Sequence, residues 1–357
     1  MLVWRAARAF VRSEEGERLP GSADRALRRA RTRRDAQAVA TFPSAPRRTH
    51  RPVRIALAGT ALVVGALGLV GFTRYVHDYV LYRGFGPPHA LVQPASQGQI
   101  VTLAFRSPAL GGRTERALVY LPAAYRKQPQ ERFPVAYLLH GTPGDPRTAF
   151  VNSLHVAPRL DLLIARNLVH PMIVVMPPGS PSTYERATEW ANGKARDAHW
   201  FRYLTHDLVH AVDSHLRTIR SPAARGIGGY SSGADAALNA ILLHPRLYSV
   251  AEGWSGDYRQ TPATVGRDPV LVRRFSALYT APLQAPLLQA TGAHVYLYSG
   301  RKDRVLSNTL VVAGDLQRAG VHTLVDVTGG GHAWALWSSR LDGSLRYFSD
   351  HLARSRP

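Results

Sequence analysis

From about residue 100 onward, short runs of β-branched and aromatic residues alternate with stretches of helical period. IVTLAFR (100–106), RALVYL (116–121), PVAYLL (134–139), MIVVM (172–176), RGIGG (225–229), SVAEGW (249–254), HVYLYS (294–299) and VHTLVDV (321–327) predict strands. Segments 158–168, 200–218, 232–243, 304–319 and 334–352 predict helices. This alternation argues for an α/β fold, a mostly parallel eight-stranded sheet with helices on both faces. The first two runs read as an antiparallel entry hairpin. Two long connections, 177–199 and 255–292, leave the carboxyl ends of the fourth and sixth strands. Open α/β sheets place their sites at those ends, and long loops there are often functional. The second connection carries FSALYTAPLQAPLLQA, apolar enough to predict a lid or an acyl-binding wall.

A different pattern precedes the sheet. Ile55 to Phe72 (IALAGTALVVGALGLVGF) is 18 residues without charge, and Thr60 is its only polar side chain. A helix of that length spans roughly 27 Å, near the hydrocarbon thickness of a bilayer. Arg47, Arg48, Arg51 and Arg54 precede it; Arg74 and Arg83 follow. The positive-inside rule then puts the N-terminus in the cytoplasm and the rest outside. A cleaved signal peptide fits less well. The basic region before the run is too long, and GFTRYVHDYV offers no small-residue cleavage pattern. The expected organisation is a basic head (1–54), a transmembrane helix (55–72), a Gly/Pro/Tyr-rich linker (73–98) and a catalytic domain (99–354). RALRRARTRRDAQ in the head reads as a solvated tail, or as a basic helix on the inner leaflet.

Charge and composition narrow the partners. The net charge over 357 residues is +21. The head holds 14 arginines against five acidic residues, a net +9, leaving +12 for the remainder. Lysine occurs only at Lys127, Lys194 and Lys302, so the arginine bias runs through the whole chain. No recognition motif accompanies it, and a nucleic-acid partner is not expected. The chain has no cysteine, which excludes disulfides, thiolate metal sites and a cysteine nucleophile.

Gly229-Tyr230-Ser231-Ser232-Gly233 follows a strand and opens a helix. That is the setting of a G-x-S-x-G nucleophile elbow, in which both glycines let backbones pass closely. Ser231 is the candidate nucleophile, and the helix N-terminus favours developing negative charge. Ser232 is a weaker candidate, because Tyr230 stands where its own elbow needs glycine. Gly253-Trp254-Ser255-Gly256-Asp257 lacks the second glycine. Upstream, Tyr137-Leu138-Leu139-His140-Gly141-Thr142 ends a buried strand in a His-Gly turn. The amides of Thr142 and Ser232 are the expected oxyanion donors. Downstream, Gly329-Gly330-Gly331-His332-Ala333-Trp334 brings a histidine past the last strand to act as base. Asp303, after the seventh strand, is the preferred acid, with Asp257 as the alternative; Asp326 lies inside a strand. In Glu189-Trp190 the tryptophan, together with Trp334, is a candidate substrate-loop residue. His206, His210 and His215 share one predicted helix without a third ligand of the usual kind, so no metal and no cofactor are expected.

YLLHGTPGDP, GGYSSGADAALNAILLHP, YLYSGRKD, GGGHAWALW and the stretch TEWANG…WFRYLTHDLVHAVDSHLRT together resemble the putative-esterase family of the α/β hydrolases over about 100–352. That family includes feruloyl esterases, S-formylglutathione hydrolases, siderophore esterases and mycolyltransferases. The resemblance implies an α/β-hydrolase fold and a Ser231–His332–Asp303 triad. It also implies hydrolysis of a small-molecule, lipid or sugar ester through an acyl-enzyme. Many members carry a second glycine after the elbow, where this chain has Ala234. Two other readings share the residues: an extracytoplasmic acyltransferase using the same triad, and a catalytically silent membrane-tethered binding module.

Overall fold

In the computed structural model, residues 51–75, 94–180, 189–193, 199–265 and 268–354 are described. Residues 1–50 of the basic head and most of the expected linker lie outside the described residues.

The apolar run forms one helix, α1 (Arg51–Tyr75). Its stretch Ile55–Thr73 has mean hydropathy 2.2 and none of it is buried. It is long and apolar enough to cross a membrane.

Further along the chain, strands form, the central ones from apolar runs because both of their faces are buried, while those toward the sheet edges are covered on one face or only in part. They are β1 (Gln99–Ser107), β2 (Arg113–Leu121), β3 (Val135–Leu139), β4 (Ile173–Met176), β5 (Arg225–Tyr230), β6 (Val250–Trp254), β7 (His294–Gly300) and β8 (His322–Thr328). Their order across one sheet is β1-β2-β4-β3-β5-β6-β7-β8. β1 pairs with β2, and β2 with β4, antiparallel; the remaining pairs are parallel. All eight expected strands are present, and so is the entry hairpin.

Alternate residues feed two cores. Val135, Tyr137 and Leu139 pack with α3 (Leu208–His215), α4 (Ser232–Leu243), α5 (Ala277–Gln289) and α6 (Leu306–Arg318). Ala136 and Leu138 pack with α2 (Val156–Ala165) and α7 (Trp334–His351). The helix expected over 200–218 begins at Trp200, widens by one turn at Tyr203–Asp207 and stops at His215.

The connection 255–292 corrects one expectation. It contains the short helices Pro262–Val265 and Pro269–Arg274, then α5. Ala277, Ala281, Ala285 and Leu288 of α5 are buried in the core it shares with α4. FSALYTAPLQAPLLQA is therefore a layer of the sandwich, not a lid over the site. The run failed to read as a helix because of Pro282 and Pro286, and because its buried face is built of alanine.

The turn between β5 and α4 depends on how closely β3 passes. A Cβ on Gly229 would stand 2.3 Å from the Leu139 carbonyl oxygen, and one on Gly233 would stand 2.2 Å from the same atom. Both obstacles are backbone of a fully buried strand, so neither can give. With the flanks fixed, Ser231 turns at φ 55°, ψ −124°. A non-glycine residue held there costs about 1–3 kcal/mol. The Ser231 amide donates to the Trp254 carbonyl at 2.9 Å, which holds the bend against β6.

Gly233→Ala is therefore expected to cost about 3 kcal/mol, by forcing backbone apart in a packed core. Gly343→Ala, on α7 where a Cβ meets nothing within 4 Å, should stabilise by up to about 1 kcal/mol. Urea unfolding of the two detergent-solubilised variants measures both.

Candidate active site

The bend presents Ser231 Oγ at the carboxyl edge of the sheet. His332 Nε2 lies 3.0 Å from it. His332 Nδ1 faces both oxygens of Asp303, at 3.2 and 3.3 Å. If Nδ1–H donates to Asp303, Nε2 is left to accept the serine proton. Asp303 follows β7 and its side chain is fully buried. Burial alone would raise its pKa. The contacts with His332 and the Val305 amide (3.1 Å) outweigh that and hold it below the ordinary carboxylate value. The imidazole of His332 also meets Trp337 edge-on, with centroids 5.2 Å apart.

The other expected residues fall around this line. Gly141 packs so closely that a Cβ there would stand 3.0 Å from Ser231 Cβ. Thr142 Oγ1 and Ser232 Oγ are 2.9 Å apart, which ties the β3 loop to the start of α4. The two amides expected to bind an oxyanion thus belong to residues in direct contact. Ser232 is buried at the start of α4. Asp257, the alternative acid, instead accepts from Asn308 Nδ2 at 2.7 Å. Asp326 pairs with Arg340 at 2.9 Å. His206 pairs with Asp207, and His215 bonds the Ala211 carbonyl. Among the described residues no group of three or more ligating side chains is placed to hold a metal.

Trp334 lines a cavity of about 690 Å³ that opens on Ser231 and His332. Trp190 does not line it. It is buried against His140 at 5.1 Å, and its Nε1 donates to the His140 carbonyl at 3.0 Å. Here the expected substrate-loop residue is scaffold, because the indole closes the space behind the β3 turn.

His140 itself has a fixed tautomer. Its Nε2 accepts from the Gly179 amide at 3.0 Å, so Nδ1–H donates to the Gly141 carbonyl at 2.9 Å. Burial lowers its pKa and keeps the ring neutral. In a trans peptide N–H and C=O point opposite ways. Pinning the Gly141 carbonyl therefore aims the Thr142 N–H.

Sequence reasoning missed the polar wall of the cavity: Glu189, Asp235, Arg259, Gln260 and Arg304. Burial, with the Glu189 carboxylate beside it, pushes Asp235 well above the carboxylate range, and burial also raises Glu189. Only Asp235 had a legible signal, four residues after Ser231 and so on the same side of α4.

The comparisons with known proteins agree with this architecture. An uncharacterized protein of Corynebacterium glutamicum is 26% identical over 62% of this chain and 54% of its own length. An endo-1,4-beta-xylanase/feruloyl esterase of Xylanibacter ruminicola is 28% identical over 45% of this chain and 22% of its own. The chain thus spans about half of the first relative and about a fifth of the second. The solved structure of a ferulic acid esterase superposes with a TM-score of 0.63 at 21% identity, covering 72% of this chain and 99% of the other. The family described as "Putative esterase" matches residues 107–348, from the end of β1 into α7. The chain belongs to that esterase family and carries its α/β-hydrolase fold.

Proposed function

We propose that this chain is a serine carboxylic-ester hydrolase working through Ser231, His332 and Asp303. The observation that carries the reading is the continuous contact from Ser231 Oγ to His332 Nε2 (3.0 Å) and from Nδ1 to Asp303 (3.2 Å). His332 takes the hydroxyl proton as Ser231 attacks the ester carbonyl. The oxyanion rests on the Thr142 and Ser232 amides, and His332 returns the proton to the leaving alcohol. Water, activated by the same imidazole, then releases the acid from the acyl-enzyme. His140 acts as a positioning residue by aiming the Thr142 amide.

The substrate proposed is an ester with a hydroxyl-bearing alcohol. Glu189 and Asp235, carboxyls whose pKa values burial raises, supply hydrogen-bonding groups for hydroxyls, and Arg259 and Arg304 widen the polar wall. Residues 55–72 are proposed as a single-pass anchor, with the arginine-rich head in the cytoplasm and residues 99–354 as the catalytic domain outside. The unburied, uncharged run of α1 supports this.

Ser231→Ala is expected to lower kcat on an aryl ester by about 10⁴-fold or more and to abolish labelling by a fluorophosphonate. Retained turnover sinks the triad. An unlabelled wild type favours a silent binding module. Added sugar alcohols should not compete with water for the trapped acyl group; ester products in place of free acid would make the chain an acyltransferase.

His140→Ala is expected to cost about 10²-fold in kcat with KM little changed. His140→Asn, whose side-chain amide can still donate to Gly141, should recover part of it. Equal losses in both variants would mean that the ring only fills space.

A further inference from the structure

The exposed side of α5 is unusual in composition. Tyr279, Leu283 and Leu287 are 50%, 73% and 57% exposed and follow one another every fourth residue. Pro282 and Pro286 are exposed between them, and the whole helix ALYTAPLQAPLLQ contains no charged residue. Just before it, Val270 is 69% exposed on the short helix that ends in Arg273-Arg274. An apolar strip of this kind usually marks an interaction face.

Beside the strip runs a groove of about 880 Å³, separate from the cavity at Ser231. Leu287 is part of both. Arg202, Arg246 and Arg274 line the groove with His244, and among the described residues no acidic one does. None of these arginines has a carboxylate partner among the described residues. Arg274 is near enough to help lower the pKa of His244, after burial. Phe201 and Leu243 form an apolar floor, and Phe201 stacks on His244 at 5.6 Å.

We propose that this face docks on the surface of an anionic bilayer. The arginines of the groove take lipid phosphates, while Leu283 and Leu287 enter the boundary between headgroups and acyl chains. Apolar side chains on one face beside arginines that have no carboxylate partner among the described residues are the pattern of an interfacial helix, and anionic lipid supplies the complementary charge. The proposal rests on the membrane reading only in that the anchor holds the chain at a bilayer. Docked in this way, the hydrolase domain holds a fixed orientation to the lipid surface.

The absence of cysteine permits a direct test on the full chain in vesicles. Single variants Leu283→Cys, Leu287→Cys, Leu324→Cys on the edge strand β8 and Leu62→Cys in α1 are labelled with an environment-sensitive fluorophore. In vesicles of phosphatidylcholine with phosphatidylglycerol, labels at 283 and 287 should shift to the blue and be quenched by brominated lipid. The label at 324 should stay open to an aqueous quencher. Adding Arg246→Gln or Arg274→Gln should weaken the 283 signal about fivefold each. If 283 and 287 remain as water-accessible as 324 while 62 is quenched, docking is overturned and the anchor stands. A water-accessible label at 62 overturns the anchor alone, whatever 283 reports. Equal signals at 283 in phosphatidylcholine alone overturn the role of lipid charge. A shift of the detergent-solubilised chain that grows with its concentration, or that inorganic phosphate alone produces, assigns the face to a second copy or a small anion and overturns the proposal.

Discussion

The constraint behind the site is the passage of β3 between two glycines of the neighbouring turn. The Leu139 carbonyl occupies the space that a Cβ on Gly229 or Gly233 would need. With both flanks locked, the intervening serine has no relaxed backbone available and takes φ 55°. That bend lifts Oγ off the sheet edge toward the loop after β8. It also leaves the residues just beyond Leu139 against the start of α4, where Thr142 and Ser232 meet at 2.9 Å. The bend at Ser231 and the meeting of Thr142 with Ser232 thus have one cause. Neither survives a change in the β3–β5 spacing.

The carboxyls near the serine divide into two kinds for electrostatic reasons. Asp303 is buried, but it faces an imidazole and a backbone amide, and these favour its charged form. Asp235 is buried beside another carboxyl, and Glu189 is half-buried; desolvation in both cases favours the neutral form. A depressed acid can orient a base throughout turnover. The raised Asp235 accepts from the Tyr258 amide at 2.7 Å, so the loop after β6 is tied to the start of α4. The sheet separates the two roles by placing Asp303 behind His332 and Asp235 one turn into α4.

What the sequence disclosed follows from where each signal resides. The central strands were legible because burial on both sides leaves runs such as VAYLL and IVVM with no polar interruption. The line Ser231–His332–Asp303 was legible as well, since each member sits in a short local pattern at a strand end. The cavity wall was not, because Glu189, Arg259 and Arg304 come from three separate loops and share no spacing. Trp190 was assigned to the substrate because an indole near a site suggests contact, and nothing local reveals that its N–H is committed to the His140 carbonyl. α5 was missed for a different reason. Its periodic residues are alanines on the inside, while its bulky ones face outward.

That inversion has a physical origin on one side of the helix only. α4 is buried along nearly all its length, with Ala234, Ala236, Ala237 and Ala240 among its residues. Ala277, Ala281 and Ala285 of α5 pack in the same core, so small residues on both helices allow their axes to come close. Asn239 of α4 reinforces the approach by donating to the Phe275 carbonyl at 2.6 Å. The close packing accounts for the alanines, and it steadies the helix that carries Ser232. It does not account for Leu283 and Leu287, which are absent from this core. Lysine or glutamate at those positions would leave the alanine seam untouched and would suit exposure to water better. The alanine seam thus explains the inner face of α5 and leaves its outer one unexplained, beside arginines that have no carboxylate partner among the described residues.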